Sequence, residues 1–413
     1  MIEKIFVFDS TRSKQRSAPL LQERELYLSY LLDAGFTQKR VRSVAAMLLH
    51  VVRLMELNHL RLVDKAEIEE ASIRWLSNNE FRKSSASRGD WSQVSFRGIA
   101  TRWLRFHNQI KVERTSAELI SNEFAQFLKN KKGATDYSVR GYQSKSLIFL
   151  RWALPRCGEF SMISLNDVEK FIEIKRADDC LPRTIASYCA VIRSLFRYAT
   201  RQGLTTNKVA GQVKSPRIVR YSSTPKGPNW KDVRRVLKFD FGSSVQGWRT
   251  TAVLALCAIY AMRACEIASL QLSDLDWTNE ILTIKRGKNG RIQQFPIAYE
   301  VGEKVLNYLK YGRPRCTCRS LFVTIRPPYR PVGSSEVSNI VSGALKSLGV
   351  VSSHYGAHAL RHSCATYLLR KGSGLQDIAD FLGHRDLRSV SIYAKCDLRS
   401  LRQVANFSLG GVK

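Results

Sequence analysis

The sequence predicts a mainly α-helical protein with a small β-sheet, the sheet lying in an α+β C-terminal part. Three observations carry that prediction. Between residues 21 and 201, apolar residues recur at three- and four-residue steps, the spacing that lines up one face of a helix. Over 281–297, two strand-like runs flank Asn289-Gly290, a pair that accepts the positive φ angles of a tight hairpin turn. Between these regions, 215–229 reads SPRIVRYSSTPKGPN, with three prolines, three serines and no apolar periodicity, which marks a linker.

Taken in order, the first helical series covers 21–34, 41–57, 65–76 and 94–107, and the second covers 118–130, 138–154, 164–176 and 182–201. The two series look alike. In each, a helix ends near a glycine (Gly35, Gly133), the next long helix carries Val41-Arg42 or Val139-Arg140 near its start, and the last is aromatic and basic. Trp103 and Phe106 close one series, and Phe196 and Tyr198 the other. This reads as a duplicated helical bundle; the alternative is a chance likeness of two four-helix segments. The spacing of those aromatics fits a buried stripe better than a platform for stacking bases. Beyond the linker, helices are expected at 230–239, 245–260, 335–347, 358–371, 375–382 and 387–395, around the hairpin.

Charge narrows the partner class. The 413 residues carry 66 Lys and Arg against 35 Asp and Glu, a net +31, with an apolar content of 44% that is ordinary for a folded chain. Such a surplus suits a polyanion, and nucleic acid gains affinity from each phosphate neutralised through release of its counterions. The longest apolar run, 251–262, lies between Arg249 and Arg263 and is too short to span a bilayer. The N-terminus has no signal-peptide pattern, and nine scattered cysteines suit a reducing compartment. These features predict a cytoplasmic protein with no membrane partner. Cys316 and Cys318 form a lone C-x-C without a second pair and are read as loop residues rather than a zinc site.

The candidate chemistry is concentrated near the C-terminus. Tyr393 follows His358-Ala359-Leu360-Arg361-His362 and Leu382-Gly383-His384. A phenol has a pKa near 10, so a nucleophilic tyrosine needs cations and a base around it. Attack on a phosphodiester also needs an acid for the departing oxygen and positive charge for the non-bridging oxygens, and the planar fork of arginine suits the latter. Arg361 follows His358 by one helical turn, which places the two on one face. Arg263 ends the most apolar helical run, where a charge requires a partner, and Glu266 is the simplest one. Each residue alone also has a plainer reading: Lys288 as an exposed hairpin lysine, His384 as a helix-cap histidine, Tyr393 as a core tyrosine.

Together, the boxes YAMRACEIASLQLSDLDW, HALRHSCATYLL and FLGHRDLRSVSIYA, with a hairpin lysine between the first two, resemble the tyrosine site-specific recombinases, the phage integrase family. The resemblance implies a catalytic domain at 230–413, a linker at 215–229, and a helical core-DNA-binding domain at 113–214. Residues 1–112 would form an additional N-terminal helical domain. It implies that Tyr393 attacks the scissile phosphate to give a 3′-phosphotyrosine link and a free 5′ hydroxyl. Arg263 and Arg361 would clamp the non-bridging oxygens, Lys288 protonate the leaving oxygen, His358 assist proton transfer at the tyrosine, and His384 hydrogen-bond the phosphate. No cofactor, metal or ATP is expected.

The implied partners are double-stranded DNA recombination sites and three further copies of the chain in a homo-tetramer on two sites, with room for accessory proteins. The implied role is integration, excision or transposition of a mobile element. A type IB topoisomerase-like relaxase, or a catalytically silent DNA-binding protein on the same scaffold, are the alternatives. Lys285 and Arg291 flank the same turn as Lys288, so the lysine is the least fixed assignment. Cys364 stands where an aromatic is common, and Ala261-Met262 where Gly-Leu is frequent; packing effects alone are expected from both. The apolar residues of 398–407 suit a tail that docks on a neighbouring subunit.

Overall fold

The computed structural model describes residues 1–77, 92–111, 114–218, 227–286, 291–383 and Tyr393. These are mainly helical, with one three-stranded antiparallel sheet. The chain divides into two compact units, one of Lys111–Arg220 and one of Met1–Ile110 together with Tyr221–Lys413.

The Lys111–Arg220 unit is built from helices Ser116–Lys132, Asp136–Cys157, Leu165–Ala177 and Pro182–Arg201. Its helix starts are written locally. Thr115 with Glu118 and Ser164 with Asp167 form capping boxes, each satisfying two N–H groups that the first turn leaves unpaired. Gly133 ends the first helix at φ +59°, a left-handed backbone that glycine adopts without a Cβ penalty. Phe124, Phe149, Phe171 and Phe196 fill the core, so the closing-helix aromatics are interior residues, as their periodicity indicates.

In the other unit, residues 1–110 carry a core of Leu28, Val41, Leu48, Phe96 and Trp103. Two helices that the apolar pattern did not reveal, Ile2–Ile5 and Asp9–Ser17, precede it. The second is mostly polar and is fixed by hydrogen bonds instead. Gln15 is buried and donates to the Ala45 carbonyl, while buried Arg24 donates to the Gln15 side chain and to the carbonyls of Gln15, Ala18 and Pro19. A buried guanidinium is tolerable only when so fully partnered.

Four helices and the sheet position the candidate site: α1 (Val245–Ile259), α2 (Ala264–Ser269), β1 (Leu275–Asp276), β2 (Ile281–Arg286), β3 (Arg291–Pro296), α3 (Ala357–Arg370) and α4 (Leu375–Leu382). α1 is buried nearly all round, from Ala252 to Ala258, and forms the centre of the core with Ile267, Leu282, Ile284, Val341 and Leu360. Full burial of such side chains stabilises by about 1.5–3 kcal/mol each. In the hairpin, β2 and β3 pair antiparallel, with Arg286 opposite Arg291 at the last described pair. β1 adds a short third strand against β2.

The sequence placed Arg263 at the end of the α1 helix. α1 in fact stops at Ile259, and Arg263 is the N-cap residue immediately before α2. Ala261 between them has φ +48°, a left-handed conformation that costs an L-residue about 1–2 kcal/mol. The Ala-for-Gly departure therefore carries backbone strain as well as a packing effect. The end of the Pro/Ser-rich stretch is also more ordered than its composition suggests. Ser363 of α3 donates to the Pro228 carbonyl at 2.6 Å, and Trp230 stacks on Tyr367 with ring centres 4.5 Å apart.

Candidate active site

The site forms where the α1–α2 corner, the hairpin, α3 and the end of α4 meet. Arg263 donates through Nη1 to Glu266 Oε1 at 2.6 Å, so the plain ion pair anticipated for it is present. That carboxylate does more than neutralise one charge. Its Oε2 also accepts from Arg286 at 2.9 Å and from the Arg263 backbone N–H at 2.8 Å. Burial alone would raise the Glu266 pKa. The Arg286 charge, the Arg263 N–H and the Arg263 charge together outweigh burial, and the pKa is lowered. Glu266 is thus an anion that aligns two guanidinium groups.

Arg361 is 2% exposed. Its Nη1 donates to the Ala261 carbonyl and its Nη2 to the Leu382 carbonyl, each at 2.6 Å. Burial, and then the Arg263 charge, push its pKa down to about 9, still a cation at neutral pH. The charges of Glu266, Arg286 and Tyr393 also act on it, which gathers these groups around one guanidinium. His358 shares the helix but not the burial: it is exposed, while Arg361 turns inward. Crowding around the ring, then the Arg361 and Arg263 charges, lower the His358 pKa.

The α4 end is tied down by three elements. The carbonyls of Asp380, Phe381 and Leu382 accept in succession from Gln293, Arg286 and Arg361. A helix leaves its last carbonyls unpaired and carries partial negative charge there, so cationic donors suit it twice over. Gly383 then turns the chain at φ +64°, and a Cβ on it would lie 2.9 Å from Arg286 Cγ.

Tyr393 is 1% exposed and packs with Ala261, Cys364, Ile378 and Leu382. Its hydroxyl lies 2.8 Å from His362 Nδ1. Of the expected residues, Arg263, His358, Arg361 and Tyr393 are therefore brought to one place. Lys288 and His384 lie outside the described residues, as do helix 387–395 apart from Tyr393 and the tail 398–407. Sequence reasoning gave no role to His362 or Arg286. The signal for His362 was its place one residue after Arg361 in the histidine box; for Arg286 it was a charge at an inward position of a strand whose alternate residues, Leu282 and Ile284, are core. Cys316 and Cys318 lie in a loop, and no cluster of metal-binding side chains occurs among the described residues.

No described helix is long and apolar enough to cross a membrane. Comparison with known proteins agrees with the geometry. The model of the phage integrase family matches residues 230–399, and that of the phage integrase N-terminal SAM-like domain matches 122–203. The integrase/recombinase y4gC of Sinorhizobium fredii is 36% identical over 160 residues, covering 38% of this chain and 82% of that protein. Another protein of that organism, y4rA, is 34% identical over 251 residues, 60% of this chain, and the match spans only 61% of its own length. Tyrosine recombinase XerD of Listeria innocua is 27% identical over 68% of this chain and 96% of its own. Among solved structures, XerH site-specific recombinase in a post-cleavage complex with its palindromic difH substrate shares the fold with a TM-score of 0.51 at 18% identity, over 82% of this chain and 96% of that one. With Tyr393, Arg263, Arg361 and the histidine box in one cluster and family models matching at 122–203 and 230–399, the chain belongs to the phage integrase family and is a tyrosine recombinase.

Proposed function

We propose that this protein cuts and rejoins double-stranded DNA at specific sites, in the integration, excision or transposition of a mobile element. The observation that carries this is a single one: the Tyr393 hydroxyl, bonded to a histidine, sits in the electrostatic reach of Arg361, which in turn feels Arg263. In this reading Tyr393 Oη forms a bond to phosphorus, the bond from phosphorus to the 5′ oxygen breaks, and the 3′ side remains on the tyrosine. Arg263 and Arg361 offset the charge that grows on the non-bridging oxygens. Exposed His358 contacts the phosphate from the rim of the site. Lys288 supplies the proton to the 5′ oxygen, and His384 adds a hydrogen bond to the phosphate. A 5′ hydroxyl from another strand reverses the step, so bonds are exchanged without ATP or metal.

Residues 113–214 would grip the core site, and 1–112 would extend that grip as a duplicated bundle. Residues 230–413 hold the chemistry, joined through 215–229. Two sites and four copies of the chain would form the working assembly, with the 398–407 tail bridging neighbours, and the reaction would take place in the cytoplasm on the nucleoid. A net charge of +31 supports a DNA partner.

A nicked suicide substrate, which loses its 5′ fragment after cleavage, tests the reading. The wild-type chain is expected to accumulate a covalent protein–DNA adduct and Tyr393→Phe none. Absence of adduct with a set of substrates that the protein binds tightly overturns it. Products joined between two duplexes distinguish recombination from relaxation of one duplex.

A further inference from the structure

We propose that His362, rather than His358, is the base that takes the Tyr393 proton. This rests on the phosphotyrosine reading above and names the group that makes its nucleophile.

The geometry separates the two histidines. His362 Nδ1 is 2.8 Å from the Tyr393 hydroxyl, within the reach a general base requires. The His358 ring centre is 6.3 Å from that of His362, and His358 is exposed. The two rings are four residues apart on α3, so His358 occupies the next step along the helix, toward its N-terminus. The charge state of His362 suits the task. Burial, then the proximity of His358, Arg361 and His354, lowers its pKa to about 4, and the imidazole is neutral at physiological pH. A neutral imidazole has one nitrogen able to accept, and a phenol is the better proton donor of the pair, so the hydroxyl donates and Nδ1 accepts. That choice leaves the ring proton on Nε2.

The proton balance closes with groups already assigned. As Oη bonds to phosphorus, its proton passes to Nδ1 and His362 becomes an imidazolium. The 5′ oxygen departs with a proton from a different acid, Lys288 in the reading above. When the 5′ hydroxyl of the incoming strand attacks, the imidazolium returns its proton to the leaving phenol. A scissile phosphate drawn to Arg361 and Arg263 brings negative charge beside the ring, which raises the imidazole's basicity at the moment of attack. The phenolate that forms is also held by the Arg361 charge.

His358 fits a different place. Exposed, and at the start of α3 where the helix offers partial positive charge, it faces incoming phosphate rather than the buried phenol. This assignment moves proton transfer at the tyrosine one helical turn further along than the family resemblance suggested.

The test compares full-length wild type, His362→Asn, His362→Ala and His358→Asn in single-turnover cleavage of a suicide substrate between pH 6 and 9. Asparagine keeps a hydrogen-bonding atom near the Nδ1 position but cannot take up a proton. Melting temperature and affinity for the same DNA are measured alongside. Both His362 variants are expected to lose about 10²–10⁴-fold in cleavage rate near pH 7. Their rates should climb by about tenfold per pH unit, because ionisation of a phenol with pKa near 10 replaces the base. The wild type should show no such climb. DNA affinity should hold within a few-fold. Cleavage by His362→Asn within about threefold of wild type overturns the proposal, and so does a tenfold-per-unit slope that appears in His358→Asn and not in His362→Asn. Should the alanine variant fail to fold, the asparagine variant decides alone. A wild type that makes no adduct sinks the underlying reading instead, and the two failures are told apart by that control.

Discussion

Arg286 and Arg361 hold neighbouring carbonyls on both sides of the same gap. Arg286 takes those of Tyr260 and Phe381, at 3.2 and 3.0 Å, and Arg361 takes those of Ala261 and Leu382, at 2.6 Å each. The α1–α2 corner, which leads into Arg263, and the end of α4, which leads into His384, are thus cross-braced by two buried cations. Glu266 supplies the compensating anion. The bracing explains how residues a hundred positions apart can share a site.

Removing one member of this network leaves others buried with fewer partners. Arg286→Met is expected to lower unfolding free energy by about 3–5 kcal/mol, the range for breaking a buried ion pair from one side. Combining it with Glu266→Gln should cost less than the sum of the single changes, because the second change removes a buried carboxylate that the first has left with only Arg263 as its guanidinium partner. Urea unfolding of the two single variants and the double variant gives the coupling. Additive losses would show that the pair does not interact.

Arg361 holds two carbonyls and, in the proposed reaction, also a non-bridging phosphate oxygen. A change to alanine would lose both the phosphate-facing charge and the two carbonyl bonds, so a dead variant would say little about chemistry. Arg361→Lys keeps the charge with a compact ammonium that lacks the planar fork. Cleavage is expected to fall by about 10²-fold or more, on the scale of losing one transition-state donor, with DNA affinity within a few-fold because affinity is spread over many basic residues. Filter binding and single-turnover cleavage on the same preparation check this. Parallel loss of both would remove the catalytic assignment.

Much of the site was legible from residue order, and the reasons for the gaps are physical. Tyr393, Arg361, Arg263 and His358 stand in boxes whose local sequence is specific. His362 stood in the same box, yet nothing in a one-dimensional pattern says which of two histidines meets a phenol contributed from 31 residues away. Arg286 was hidden differently. A charge in a strand normally marks a solvent face, and only the tertiary placement of the Glu266 carboxylate and two open carbonyl groups makes an inward arginine stable. Most helices with an apolar face were readable, although Tyr299–Asn307, which buries Val301 and Val305, was not among those expected. Asp9–Ser17 was not, because Gln15 and Arg24 hold it through polar bonds that carry no periodicity. The position of Ala261 was identified as unusual, but its left-handed backbone came only with the fold.

The turn after α4 is a second point of tight specification. Gly383 has φ +64°, and a Cβ there would lie 2.9 Å from Arg286 Cγ and 3.1 Å from Gln293 Oε1. Gly383→Ala is expected to destabilise by about 1–3 kcal/mol, from the left-handed backbone and from displacement of well-packed neighbours. Because Arg286 is the group displaced, the change should weaken the Arg286→Met effect when the two are combined. Thermal melts of the single and double variants test this, and an alanine variant as stable as wild type would contradict the placement of Arg286.

Acid stability provides a check that does not involve catalysis. Burial, then the Arg53 charge, lowers the His50 pKa to about 4, and the same direction holds for His362. A histidine whose pKa in the folded state lies below its unfolded value of about 6.5 contributes stability that is fully present above pH 6.5. That contribution is lost as pH falls through the folded pKa, since the unfolded chain binds the proton first. The melting temperature is therefore expected to fall steadily from pH 6.5 towards pH 4. His50→Gln should be less stable or equal at pH 7 but should show a shallower decline over the same window, as one of the three described rings with a lowered pKa (His50, His358 and His362) is gone. Glu266 adds a separate loss lower down: its pKa is depressed, so its contribution persists above the ordinary carboxylate range and disappears only as pH drops through the lowered value. Melting curves at half-unit pH steps separate the two windows, and a His50→Gln slope equal to that of wild type between pH 6.5 and 4 would show that His50 is not held neutral by the fold.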